Sequence, residues 1–370
     1  MKDKFFPALA VLVGTTIGAG FLGIPYVVSK SGFIPGLVYL FLIAVFMLYT
    51  RLYLGEVILR TKGNHQLTGY ASRYLGKWGK RLMFFAMIFG IYSALVAYLI
   101  GEGQSLSYIF FGNIAYSFYF SIAFWFVMFF LTYIGLKALK KYEKASMFVV
   151  LFFVLLILIF FISRVKMENL DYINRDNLFL PFGVILFSFL GFSAMPEVER
   201  ILLGQEKFMK KVINLSIIVP FIVYLIFMLV VVGVFGREVP EVATLILGRF
   251  FSFLGVLTMF TAFFAISLAI RDMYRFDFKL GRFKGWLLCS LVPLILFLVI
   301  YFFNLANFVQ ILSVSGIVSG GVTGILILFM NLRAKQEGSR KPEYKVKINK
   351  WIILLLSLVF ILAVLLELFY

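Results

Sequence analysis

Two short stretches of this 370-residue chain combine residue types and spacing that could hold a small charged ligand. The first is Gly14-Thr15-Thr16-Ile17-Gly18-Ala19-Gly20-Phe21-Leu22-Gly23-Ile24-Pro25, four glycines and a proline inside an apolar run. Glycine and proline both weaken a helix, so helical hydrogen bonding should fail around residues 17–21. The second, Gly191-Phe192-Ser193-Ala194-Met195-Pro196, repeats Gly20–Pro25 as Gly-Phe-x-x-apolar-Pro, 171 residues later. It predicts a matching break at 190–194. An unwound turn in apolar surroundings frees backbone N–H and C=O groups, each costing several kcal/mol unless a ligand or water engages it. N–H groups at a half-helix N-terminus suit a carboxylate, and freed carbonyls suit an ammonium or a cation. An amino acid carries both charges on one carbon. A packing reading competes, because Gly14-x-x-x-Gly18 is also a helix-contact motif.

The elements that position these stretches follow from composition. Hydrophobic residues make up 63% of the chain and charged ones 14%, with a mean hydropathy of +1.03. Soluble chains carry about 45–50% and about 25%. The bilayer must therefore be the solvent for most of the chain, and every span must be a helix. Eleven apolar runs qualify, at about 5–28, 33–57, 82–111, 118–136, 145–163, 178–203, 212–235, 250–270, 286–303, 305–330 and 351–370. The net charge of +18 would suggest nucleic acid in a soluble protein, but here the Lys and Arg residues fill short loops. Taken on alternate sides of the spans they divide 28 to 5, with Arg51 and Arg249 unassigned near span ends. That asymmetry predicts a multi-pass protein of the cytoplasmic membrane, N-terminus inside and Tyr370 outside.

The glycine-proline stretches fall in the first and sixth spans, so the second copy enters the membrane from the opposite face. This predicts inverted halves, 1–165 and 166–332, followed by a loop and a last helix in 333–370. Interrupted spans at corresponding positions of inverted halves point to the substrate site of a secondary transporter. Cys289 is the one cysteine and His65 the one histidine, which excludes a disulfide framework and multi-imidazole metal chemistry. Glu102 lies in the outer part of the third span, where a carboxyl held out of water could carry a coupling proton. The alternative is hydration near the outer surface. Arg51 and Glu56 are expected to snorkel to the cytoplasmic interface, and Glu197 and Glu199 to line the exit of the sixth span.

At these residues the chain resembles the amino acid/auxin permease family and its aromatic amino acid permease relatives, within the amino acid–polyamine–organocation superfamily. Gly14–Gly20 with Gly23-Ile24-Pro25 looks like that group's first span. Tyr92–Leu99 with Gly101 and Gly103 looks like its third, Pro196-Glu197-Val198 through Lys210-Lys211 like the exit from its sixth, and Ser267–Asp272 like its eighth. The resemblance implies a LeuT-type five-plus-five inverted repeat, with a peripheral eleventh helix and alternating access to a central amino acid site. By carry-over, Thr16, Ala19 and Gly20, with Ser188, Phe189, Leu190, Gly191, Phe192 and Ser193, would hold the substrate backbone. Phe21, Tyr92, Phe189 and Phe192 are the aromatic candidates to face its side chain. The carbonyls of Gly14 and Ile17 with Thr261 would match a sodium site of the fold. Ala262 departs from it by lacking a hydroxyl, which favours a proton over sodium. The expected function is import of a neutral, apolar or aromatic amino acid, without a cofactor beyond the coupling ion. A membrane-embedded enzyme acting on a lipid-linked substrate is the rival class, but no paired carboxylates, His cluster or phosphate loop shares a membrane face.

Overall fold

The computed structural model describes residues 4–63, 65–134 and 139–347; the expected eleventh span, at 351–370, lies outside them. The described residues are helical apart from loops and one isolated bridge between Gly32 and Ile173. Among the described residues, nine segments are long and apolar enough to cross a membrane, and a bent pair makes a tenth.

That pair is the first span, α1 (Phe5–Thr16) and α2 (Gly20–Ser31), which meet at 45°. Thr15 and Thr16 donate their hydroxyls to the carbonyls of Val11 and Leu12, an i−4 back-bond that bends a helix end. Ile17 then leaves helical geometry at ψ 83°. The second span is α3 (Phe33–Leu59). The third, α4 (Leu67–Phe111), starts well before the expected 82. Its basic first stretch is a helix that turns at Gly76, where φ is 71°. A residue with a Cβ is strained there. Next come α5 (Ser117–Ile134) and α6 (Leu139–Phe161).

The sixth span is α7 (Leu180–Ser188) and α8 (Met195–Leu202), separated by 189–194. Both stretches singled out in the sequence are thus breaks, although Gly20 and Phe21 already belong to α2. The remaining spans are α9 (Met209–Phe235), α10 (Arg249–Phe276), α11 (Arg282–Phe303) and a tenth made of α12 (Phe308–Ser315) and α13 (Gly321–Glu337). A π-helical turn at Gly316–Gly320 joins the last two, a bulge the sequence reading did not anticipate.

The broken spans sit at the centre. α2 packs on α7, α1 on α8 and α9, and α10 and α13 on α4. The outer faces carry the apolar side chains a lipid surface requires, among them Phe41, Phe126, Phe152 and Phe303, all at least half exposed, whereas no large apolar side chain of the central breaks is exposed.

Candidate functional site

The two breaks face each other across a cavity of about 80 Å³. Thr16 and Gly20 line it from the first span, and Leu190, Gly191, Phe192 and Ser193 from the sixth. Ala94 and Tyr98 of α4, Ile266 of α10, and Ser319 and Thr323 of the tenth span close it. The N-cap residues facing this region are Ala19 for α2 and Ala194 for α8, neither of which has a side chain able to cap. The first-turn N–H groups of two half-helices are therefore left to backbone or ligand acceptors.

The opposite ends of the same breaks are held by a residue the sequence reading placed elsewhere. Arg51 does not snorkel: it is fully buried. Its Nη2 donates to Thr16 Oγ1 at 2.7 Å and to the Phe189 carbonyl at 2.8 Å, while Nη1 donates to Ser216 Oγ at 2.9 Å and the Ser216 carbonyl at 3.2 Å. The guanidinium thus lies at the C-terminal ends of α1 and α7, where the helix dipoles favour a cation. From α9, the Tyr224 hydroxyl lies 3.0 Å from the Thr16 carbonyl and 2.7 Å from that of Ser188, so its one proton can go to either. Glu56 is buried too. It pairs with Arg60 at 2.8 Å and accepts from the Val346 N–H at 3.0 Å.

Close approach explains two of the glycines. A Cβ on Gly191 would stand 2.6 Å from Arg51 Nη2 and 3.0 Å from Thr16 Oγ1, so glycine there leaves the guanidinium its place. A Cβ on Gly20 would stand 2.7 Å from the Ser188 Cα, which is backbone and cannot swing aside. Gly20→Val should therefore disturb the fold itself, costing about 1–3 kcal/mol by overpacking α2 against α7. A thermal midpoint in detergent equal to the parent's would refute this.

Other candidates are dispersed. Phe21 is fully buried against Tyr224 and Phe227, with ring centroids 6.1 and 5.1 Å away. Phe189 packs on Tyr224 as well, and contributes its carbonyl to Arg51. Ser188 donates to the Val184 carbonyl at 2.7 Å. Tyr92 bonds Tyr274 at 2.8 Å and borders a second, lipid-side groove of about 1010 Å³ rather than the cavity. That groove is larger but almost wholly apolar, with Phe85, Leu305 and Val314 on its exposed rim, whereas the freed backbone groups converge on the small cavity. Ala19, Gly14 and Ile17 belong to the first break and its flanks without lining the cavity. Thr261 gives its hydroxyl to its own helix, at the carbonyls of Leu257 and Thr258. Glu102 is fully buried, not hydrated.

The chain is similar in sequence to known transport proteins. A low affinity tryptophan permease of Proteus vulgaris is 23% identical over 77% of this chain and 77% of its own length. Tyrosine-specific transport system 1 of Haemophilus influenzae is 23% identical over 79% and 80%. Glutamine transporter 2 of Aliivibrio fischeri is 26% identical over 63% of this chain, which spans 62% of that relative's length. The family model for tryptophan/tyrosine permeases matches residues 1–243 and 238–368, nearly the whole sequence. The chain belongs to the tryptophan/tyrosine permease family.

Proposed function

We propose that this protein is a secondary transporter that imports a neutral amino acid by alternating access. The observation that carries the reading is the cavity between the two breaks, walled by Gly20 at the start of α2 and by Leu190–Ser193 of the sixth span's break. The substrate carboxylate binds at the first turn of α2 and the backbone of the break at 190–193, and the ammonium at carbonyls that Arg51 and Tyr224 leave open. The matched breaks, the charge asymmetry and the family support an inverted five-plus-five core in a bacterial cell membrane, with the N-terminus inside. Residues 1–165 and 166–332 are then its halves, and 333–370 adds a peripheral helix.

No ionised side chain lines the cavity among the described residues, so a cationic or anionic side chain would enter without a formal partner. Relatives named for tryptophan, tyrosine and glutamine point the same way. Ligand sites for drug-sized molecules span about 300–1,000 Å³. At about 80 Å³ the cavity must widen for an indole, by moving Leu190 and Met87 on its wall. Proton coupling is favoured over sodium, because Ala262 offers no hydroxyl beside Thr261 and Glu102 offers a titratable group in the bundle. The test is competition in proteoliposomes: excess unlabelled Trp, Tyr, Leu or Gln should suppress labelled uptake. If Lys or Glu competes best, the neutral-pocket reading fails.

A further inference from the structure

Among the described residues, eight buried side-chain N or O atoms lack a hydrogen-bond partner, and four of them belong to Glu102, Ser105 and Thr244. All three residues are fully buried. Glu102 and Ser105 are three apart on α4 and so share a face. Thr244 lies in the 3-10 turn Ala243–Leu247 that leads into α10. Ser105 and Thr244 converge at Gly255 of α10, where a Cβ would stand 3.5 Å from Ser105 Oγ and 3.0 Å from Thr244 Oγ1. The same point is 3.4 Å from Leu22 Cδ1 of α2. Four separate elements therefore surround a group of unsatisfied oxygens, none of which lines the central cavity.

We propose that Glu102, Ser105 and Thr244 form a proton-binding site distinct from the substrate cavity. This rests on the permease reading and names the residues that would take the coupling ion. As the side chains stand, no two of these oxygens are hydrogen-bonded to each other; a protonated carboxyl has one O–H to give, and a rotation that brings Ser105 Oγ or Thr244 Oγ1 to it would supply the acceptor. An ionised carboxylate would be buried with no hydrogen-bond partner as the side chains stand, one residue along α4 from Gly101, which packs against Met259 and Phe308. Proton loading is thereby tied to packing. Leu22 is two residues from Gly20, so α2 runs from the proton site to the wall of the cavity.

The other charged groups on α2, α4 and α10 stand toward the ends of those helices. Arg249 opens α10 and lies against Gly112 at the end of α4. Lys30 of α2 donates to the Arg237 carbonyl. Glu241 accepts from the N–H groups of Phe308 and Val309, and burial nonetheless pushes its carboxyl above the usual range. The span α5 and the short helix α12 carry no charged side chain.

The experiment compares wild type, E102Q and E241Q in proteoliposomes with labelled tryptophan, tyrosine and glutamine, reading counterflow without a gradient, accumulation under an imposed pH gradient, and proton entry by a trapped dye. E102Q is expected to keep counterflow while losing pH-driven accumulation by about tenfold or more, with no proton signal. E241Q should keep both. Accumulation by E102Q at the wild-type level overturns the proposal, as does loss of coupling in E241Q alone or wild-type accumulation that follows only a sodium gradient. Absence of counterflow in wild type would instead sink the permease reading, and the site with it. Should E102Q fail to fold, the double variant S105A/T244V keeps the carboxyl and should move the external pH of half-maximal accumulation; an unmoved value overturns the proposal.

Discussion

Arg51→Met is expected to reduce uptake by about a hundredfold while lowering the thermal midpoint only modestly. The guanidinium satisfies Thr16 Oγ1, the Phe189 carbonyl and Ser216 at once, which joins the ends of α1 and α7 to α3 and α9. Removing it leaves acceptors unpaired at about 1–3 kcal/mol each. Against that, a buried cation without an anionic partner is itself costly, and a methionine of similar length does not bear that cost. The two terms oppose each other in stability but not in function. Without the guanidinium, the Tyr224 hydroxyl, with one proton to share between the Thr16 and Ser188 carbonyls, is left to hold the two breaks together, and the N–H groups on their far sides lose their common geometry. Arg51→Lys should fail as well, because an ammonium has no planar fork to reach two carbonyl ends. Uptake within a few-fold of wild type in either variant would remove Arg51 from the mechanism.

Why Arg51 was misplaced in the sequence reading is instructive. Viewed alone, it is one cation in an apolar run, close to a basic loop, and snorkelling is the ordinary fate of such a residue. Its acceptors are 35, 138 and 165 residues away, and two of them are backbone atoms that leave no trace in residue type. A signal did exist. Arg51 lies eight residues before the end of α3, about 12 Å along the helix axis, further than an arginine climbs with ease. The breaks were legible for the opposite reason: glycine and proline act locally, so residues 14–25 and 191–196 declare themselves wherever the chain carries them. Which side chains face the cavity was not local. Phe21 follows Gly20 by one residue, about 100° around α2, and that rotation turns it onto Tyr224. The π turn at Gly316–Gly320 and the helical run before Gly76 depend on what lies beside them: α7 and α4 pack on the first, and Asp277 and Thr61 meet Thr68 and Tyr74 of the second.

Ala94→Leu should abolish most uptake without loss of folded protein, the reverse of what Gly20 variants do. Ala94 lies on α4 beside Gly90 and Tyr98, facing the breaks, and is 6% exposed. Leucine adds three carbon atoms at that wall. A water's share of liquid volume is about 30 Å³, so a cavity of about 80 Å³ has room for those carbons and little else. The added side chain meets empty space instead of backbone, and filling an apolar void leaves the thermal midpoint equal or slightly higher. The space it takes is the space the substrate needs. Because an indole demands more widening than a carboxamide, tryptophan uptake should fall further than glutamine uptake, and the ratio of the two is the informative readout. Equal losses for both would mean that Ala94 blocks a movement instead of a pocket. Wild-type uptake of both, in a protein that is properly folded, would place the binding site outside this cavity and remove the observation on which the proposed function rests.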